Sequence, residues 1–200
     1  MGVTRCIVLA TENRHKGEEI RSILRGGADL LVRTLADYPG VTLPPETGAT
    51  YRENAAGKAA FVARATGEWA MGDDSGLEVD ALNGAPGLYS ARFAGEGVSY
   101  ADNRRKLLES LSDLPDEKRT ARFVCTVALA GPAGSLDVVE GICRGRIAQA
   151  ESGDGGFGYD PIFFLPEHGK TFAELSPIEK NRISHRGQAV RAALSILTST

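Results

Sequence analysis

Apolar residues in this chain fall into short continuous runs alternating with stretches of helical spacing. Cys6-Ile7-Val8-Leu9-Ala10 reads as a buried strand. It breaks at Thr11-Glu12-Asn13, and a helix follows with Ile20, Ile23 and Leu24 on one face and Gly26-Gly27 as its stop. Leu30 to Arg33 reads as a second strand. A Pro-rich loop, Tyr38 to Gly48, leads to Thr50-Tyr51-Arg52-Glu53, a capping box opening an Ala-rich helix to about Thr66. Trp69-Ala70-Met71 and Leu77 to Leu82 read as strands flanking a polar turn, Gly72-Asp73-Asp74-Ser75-Gly76. A helix beginning near Ser99 or Asp102 ends before Pro115, and Arg122 to Ala130 with Leu136 to Ala148 forms a hairpin around Gly131-Pro132-Ala133-Gly134. The Gly-rich loop Ser152 to Gly158 precedes a strand at Ile162 to Leu165. Ser176-Pro177-Ile178-Glu179 combines an N-cap, a first-turn proline and a capping-box glutamate, and Ser184 precedes a last helix with Ala189, Val190, Ala193, Leu194 and Leu197 on its core face. Strand-helix units mixed with a hairpin predict an α/β protein with an elongated mixed sheet flanked by helices. The expectation is a single domain over residues 1–200, two-lobed around a central cleft.

Composition narrows the function classes. A chain of 200 residues, 42% hydrophobic and 24% charged, can bury a core of ordinary size. A net charge of −3 leaves no basic footprint for a nucleic-acid polymer and no polybasic membrane anchor. Any anionic ligand must be captured by locally placed Lys, Arg and backbone amides. Cys6, Cys125 and Cys143 are odd in number, far apart and without a Cys-x-x-Cys pair, which argues against disulfides and zinc. No apolar stretch approaches a membrane span, and the lead-in to the first strand is too short for a signal peptide, so a cytoplasmic protein is expected.

Four stations could carry chemistry. Asp73 and Asp74, with Ser75 between apolar runs, could hold Mg²⁺ and activate water, or could simply form a turn. Thr11, Glu12, Asn13, Arg14, His15 and Lys16 join a strand to a helix N-terminus; the free amides and dipole there suit phosphate, and an Asn13 cap in a solvated basic turn is the plainer alternative. Glu46 and Lys58 lie before and on the Ala-rich helix, where Glu46 could reach a metal shared with Asp73 or Asp74. Gly155-Gly156-Phe157-Gly158-Tyr159-Asp160-Pro161 lets backbone approach a ligand while the Phe157 ring stacks on a base, or else plugs Phe157 into the core. Lys180, His185 and Arg186 add donors across a helix junction, suited to an anion or a carbonyl-bearing ring.

In combination these stations are far more specific than singly. The chain resembles the inosine/xanthosine triphosphate pyrophosphatase family from its first strand to its last helix. The likeness is closest at Asp73 to Leu77, at Gly84 to Arg92, at Gly155 to Phe163, and from Lys170 to Leu175 through Lys180 to Gly187. It implies Mg²⁺-dependent cleavage of deaminated purine nucleoside triphosphates, dITP/ITP and XTP/dXTP, between the α and β phosphates, usually by a homodimer. It places the turn Thr11 to Lys16 and Lys58 on the triphosphate, and Glu46 and Asp74 on the metal. Asp74 becomes the general base with Asp73 as its acidic neighbour. Ser75, Phe157, Gly158, Tyr159, Asp160, Lys180, His185 and Arg186 become nucleotide-holding positions. Two adjacent carboxylates should raise one another's pKa unless a cation intervenes.

One position departs from the family pattern. Glu12 stands where glycine is common, and a carboxylate there would repel triphosphate unless it points to solvent, as we expect. A related pyrophosphatase acting on altered pyrimidines is disfavoured by the His185-Arg186 block. A nucleotide sensor without turnover is disfavoured by the intact Lys16, Glu46, Lys58, Asp73 and Asp74.

Overall fold

The computed structural model describes residues 5–25 and 30–199. The predicted helix stop at Gly26-Gly27 lies outside the described residues. Seven strands form one open mixed sheet in the order β2-β1-β3-β4-β5-β6-β7. They are β1 (Arg5–Leu9), β2 (Leu30–Thr34), β3 (Trp69–Val79), β4 (Thr120–Ala130), β5 (Leu136–Ile147), β6 (Phe163–Leu165) and β7 (Lys170–Thr171). The helices are α1 (Arg14–Leu24), α2 (Tyr51–Thr66), α3 (Tyr100–Ser110), α4 (Pro177–Ile183) and α5 (His185–Ser199). β1 runs parallel to β2 and β3, whereas β6 runs antiparallel to β5 and β7. Among the described residues no helix is long and apolar enough to cross a membrane.

The chain divides into two compact units. The first holds the described residues within Met1–Ser75, Cys125–Gly141 and His185–Thr200, and the second holds Gly76–Val124 and Ile142–Ser184. In the first unit the alternation of strand side chains builds two cores. Ile7, Leu9, Met71, Cys125, Val127 and Leu129 pack with Ile20 and Leu24 of α1 and with Ala189, Val190, Ala193 and Leu197 of α5. Val8, Ala10, Ala70, Ala128 and Ala130 face the other way, against Ala55, Ala59, Val62 and Ala63 of α2. Small residues on both sides let α2 approach closely: a Cβ on Gly72 would stand 2.5 Å from the Ala55 carbonyl oxygen and 2.9 Å from the Ala59 nitrogen. The second unit has its own core, where Phe123 and Phe172 stack and Phe163 packs tilted against both, among Leu77, Val79, Leu107, Leu111 and Ile162.

One expected element is different. Gly72 to Gly76 is no turn; it is the middle of the 11-residue strand β3, and the predicted strand to Leu82 ends at Val79 in a short 3-10 turn. Short polar residues favour turns in isolation. Here β3 continues beside β4 beyond Met71, where its pairing with β1 ends, and the Asp73 and Asp74 side chains find partners on the helical layers. The Thr50 box is also altered. Thr50 Oγ1 accepts from the Glu53 amide, but Glu53 Oε2 accepts from the Ala49 amide at 2.6 Å, one residue earlier than a reciprocal box requires. The Ser176-Glu179 box at α4 and a Ser99-Asp102 box at α3 are complete.

Candidate active site

β3 carries the centre of the site, and its pleat decides what each carboxylate meets. Consecutive side chains of a strand point to opposite faces. Asp73 shares the Met71 face, toward α1 and α5; Asp74 shares the Gly72 face, toward α2.

Asp73 is buried among cations. Its Oδ2 lies 3.3 Å from Lys16 Nζ on α1 and 3.4 Å from Arg186 Nε on α5, while Oδ1 is buried and accepts no hydrogen bond among the described residues. Burial by itself would raise the Asp73 pKa, but Lys16, Arg186 and Lys58 outweigh it and hold the group at about 2. Arg186 is as deeply buried and divides its guanidinium among three acceptors: Asp73, Glu19 Oε2 at 2.5 Å and Ser75 Oγ at 3.0 Å. Burial pulls its pKa down, and the charges of Asp73 and Glu19 more than restore it, so it stays protonated.

Asp74 behaves in the opposite way. Its Oδ2 accepts from Asn54 Nδ2 at 2.9 Å and its Oδ1 from the Ser75 amide at 2.8 Å. Burial raises its pKa above the ordinary aspartate value, against the Asn54 hydrogen bond and the charges of Lys16 and Lys58, with Glu46 adding to the rise. The condition attached to the mutual raising of adjacent carboxylates is met here, because Lys16 and Arg186 intervene at Asp73. Asp73 is depressed by cations, and Asp74 is raised chiefly by desolvation.

Glu46 is exposed in its loop and pairs with Lys58 Nζ, which also donates to the Asp73 carbonyl at 2.6 Å. The loop is tied to α2 by the Gly48 amide donating to Asn54 Oδ1 at 2.8 Å and by the Ala49 bond to Glu53. At the start of α1, Asn13 caps the helix by accepting from the Lys16 amide, and its own amide donates to Thr11 Oγ1. Glu12, Arg14 and His15 are exposed, and Arg14 is spent on Glu18 one turn along. Sequence reading missed Asn54 and Glu19. The available signal was helical spacing, since Asn54 lies four residues before Lys58 and Glu19 three after Lys16.

In the linked network three cations (Lys16, Lys58, Arg186) meet four carboxylates (Glu19, Glu46, Asp73, Asp74). A polyphosphate would find no surplus positive charge there without an added cation. Glu46 and Asp74 offer only hard oxygen donors, the set that suits Mg²⁺ completing its shell with water and phosphate oxygens. Among the described residues no group of three or more His, Cys, Asp or Glu could hold a metal alone.

The second unit holds the Gly-rich loop. Asp160, buried, accepts from the Phe157 amide at 2.7 Å and from Lys180 Nζ at 2.6 Å. The Lys180 ammonium lies 4.9 Å from the centre of the half-buried Phe157 ring. Tyr159 belongs to the core, where its hydroxyl donates to the Ser90 carbonyl at 2.8 Å. Burial raises its pKa above the ordinary phenol value. Gly158 is buried with a positive φ of 65°. Lys180 and Arg186, expected to act together, are engaged by different carboxylates, Asp160 in one unit and Asp73 with Glu19 in the other. His185 is buried at the start of α5.

Comparison with known proteins places this arrangement in company. The sequence model of the Ham1 family matches residues 7–196. A dITP/XTP pyrophosphatase of Desulforamulus reducens is 49% identical over 191 residues, covering 96% of this chain and 94% of that protein. One from Geobacillus kaustophilus is 50% identical over 185 residues, covering 92% and 90%. The structure of a HAM1 protein from Coxiella burnetii superposes with a TM-score of 0.87 at 41% identity, covering 98% of this chain and 100% of the other.

Proposed function

The chain belongs to the Ham1 family, and from that premise we propose that it hydrolyses deaminated purine nucleoside triphosphates, dITP/ITP and XTP/dXTP, to the monophosphate and pyrophosphate. The observation that carries the reading is the split pair on β3: Asp73, its pKa held low by Lys16 and Arg186, and Asp74, its pKa raised by burial, beside Glu46.

In this reading Asp74 takes the proton of a water that attacks the α phosphorus, and the bond to the bridging oxygen breaks as pyrophosphate leaves. Asn54 and the Ser75 amide aim its two oxygens. Desolvation raises the basicity of Asp74 relative to a surface aspartate, as a general base requires. Lys16 and Lys58, with the amides at the start of α1, hold the β and γ phosphates. Glu46 and Asp74 would hold Mg²⁺, which when bound neutralises charge on the phosphate oxygens. Exposed Glu12 points to solvent, away from the phosphates.

The base is recognised by residues of the Gly-rich loop. Phe157 stacks on the purine, while Lys180, oriented by Asp160, supplies donors to a 6-oxo acceptor. Adenine has an amino donor at that position and would leave those donors unpaired, a mismatch capable of roughly 10⁴-fold discrimination. We also take the enzyme to be a cytoplasmic homodimer, which light scattering would refute by returning the mass of one chain.

The test is a product assay on dITP, XTP, dGTP and dATP with Mg²⁺ and with a chelator. Pyrophosphate from dITP and XTP alone, abolished by chelation and restored by Mg²⁺, is the expected result. Orthophosphate would place the attack at a terminal phosphate and refute the mechanism.

A further inference from the structure

The Gly-rich loop is held from three sides, and one of them has no counterpart in the base-recognition groups described above. Asp160 holds it from inside through the Phe157 amide. The turn after β7 holds its first half, where the Gly155 amide donates to the Ala173 carbonyl at 3.0 Å and Thr171 Oγ1 to the Ser152 carbonyl at 2.7 Å. The third side is a single residue of α3. Arg104 Nη1 donates to the Gly158 carbonyl at 2.8 Å, and Arg104 Nε donates to Glu151 Oε1 at 2.9 Å. One guanidinium thus ties together the two ends of the segment 151–158 that carries Phe157.

The platform beneath Arg104 is rigid. Asn103, fully buried, accepts from the Ala94 amide at 2.7 Å and donates to the Ala91 carbonyl at 3.1 Å, pinning α3 to the preceding turn. Tyr100, one helical turn before Arg104, sets its ring edge-on to Tyr159 with centroids 6.1 Å apart. A Cβ on Gly158 would stand 3.5 Å from the Tyr100 ring, so the loop backbone rests against this face of α3. The Arg104 side chain is only 16% exposed, and a guanidinium bond to a carbonyl is charge-assisted and directional. Lysine, a single point donor, could meet Gly158 or Glu151 but not both in this fork geometry.

We propose that Arg104 is a positioning residue for purine recognition: it fixes the closing end of the Gly-rich loop and with it the plane of Phe157, without touching the nucleotide. The proposal rests on the assignment of this loop to the base.

Amide hydrogen exchange of the full chain and steady-state kinetics on dITP test it together, for wild type, Arg104→Ala, Arg104→Lys and Glu151→Gln. In Arg104→Ala the amides of Gly155, Phe157 and Asp160 should exchange about tenfold faster or more while those of α1 and α5 are unchanged. KM for dITP should rise by about three- to tenfold with kcat within about twofold. Arg104→Lys should recover part of both effects, and Glu151→Gln should show a smaller change in the same direction. Unchanged loop exchange in Arg104→Ala overturns the proposal, as does a fall in kcat at constant KM. Should Arg104→Ala not fold, Glu151→Gln decides, because no change in its exchange or KM refutes the two-ended clamp. If wild type releases no pyrophosphate from dITP, the functional assignment fails, and the exchange comparison still decides whether Arg104 holds the loop.

Discussion

Asp73 and Asp74 are neighbours in sequence, but a strand turns them to opposite faces of the sheet, and each takes its chemistry from the helices it meets. Asp73 is surrounded by Lys16 and Arg186 and stays ionised; Asp74 meets the amide of Asn54 and loses hydration. Only Asp74 is fitted to accept a proton. Asp74→Asn should therefore lower kcat by at least about 10²-fold, the usual scale of general-base catalysis. Far-ultraviolet circular dichroism should remain that of the wild type. Near-normal turnover would remove Asp74 from its assigned role. That both aspartates were candidates for chemistry was legible from the polar block between apolar runs. The resemblance named Asp74 as the base, but the physical difference between the two was not legible, because it depends on partners as distant in sequence as Arg186.

At the scale of elements, α2 shows how composition becomes placement. Its alanines form a small-residue face, and what packs closely against that face is the backbone of β3. Gly72→Ala would force a methyl against the Ala55 carbonyl and the Ala59 nitrogen, both backbone atoms of a packed helix that cannot swing aside. We expect a loss of about 1–3 kcal/mol, read as a lower urea midpoint; unchanged stability would mean that α2 can slide away from the sheet. The capped helices α3 and α4 were readable because capping is local chemistry within four residues. The polar middle of β3 was misread as a turn for the same reason. Its local preference is overridden by partners outside the window, since strand propensity reports packing context more than backbone preference.

At the scale of the molecule, the Asp73 cluster links stability to pH. The folded pKa of about 2 lies below the ordinary value of 3.8, so Asp73 contributes stability that is present above about pH 4 and lost as the pH falls toward 2. The difference amounts to about 2 kcal/mol. Denaturant unfolding at pH 5 and at pH 2.5 should show that loss in wild type and a smaller one in Asp73→Asn; equal slopes would dissolve the link. The five helices, most element boundaries and the mixed sheet could be read from the chain alone, because hydrophobic period, caps and breakers act over a few residues. The continuity of β3 and the two-residue β7 could not. Candidate residues for handling phosphate and base could also be named from their motifs. Tertiary structure alone decided how they divide their work: Arg186 serves Asp73 and Glu19, the latter 167 positions away, while Lys180 serves Asp160. Charge pairing and burial act through space, so partners on separate strands and helices leave no spacing in the sequence by which to find one another.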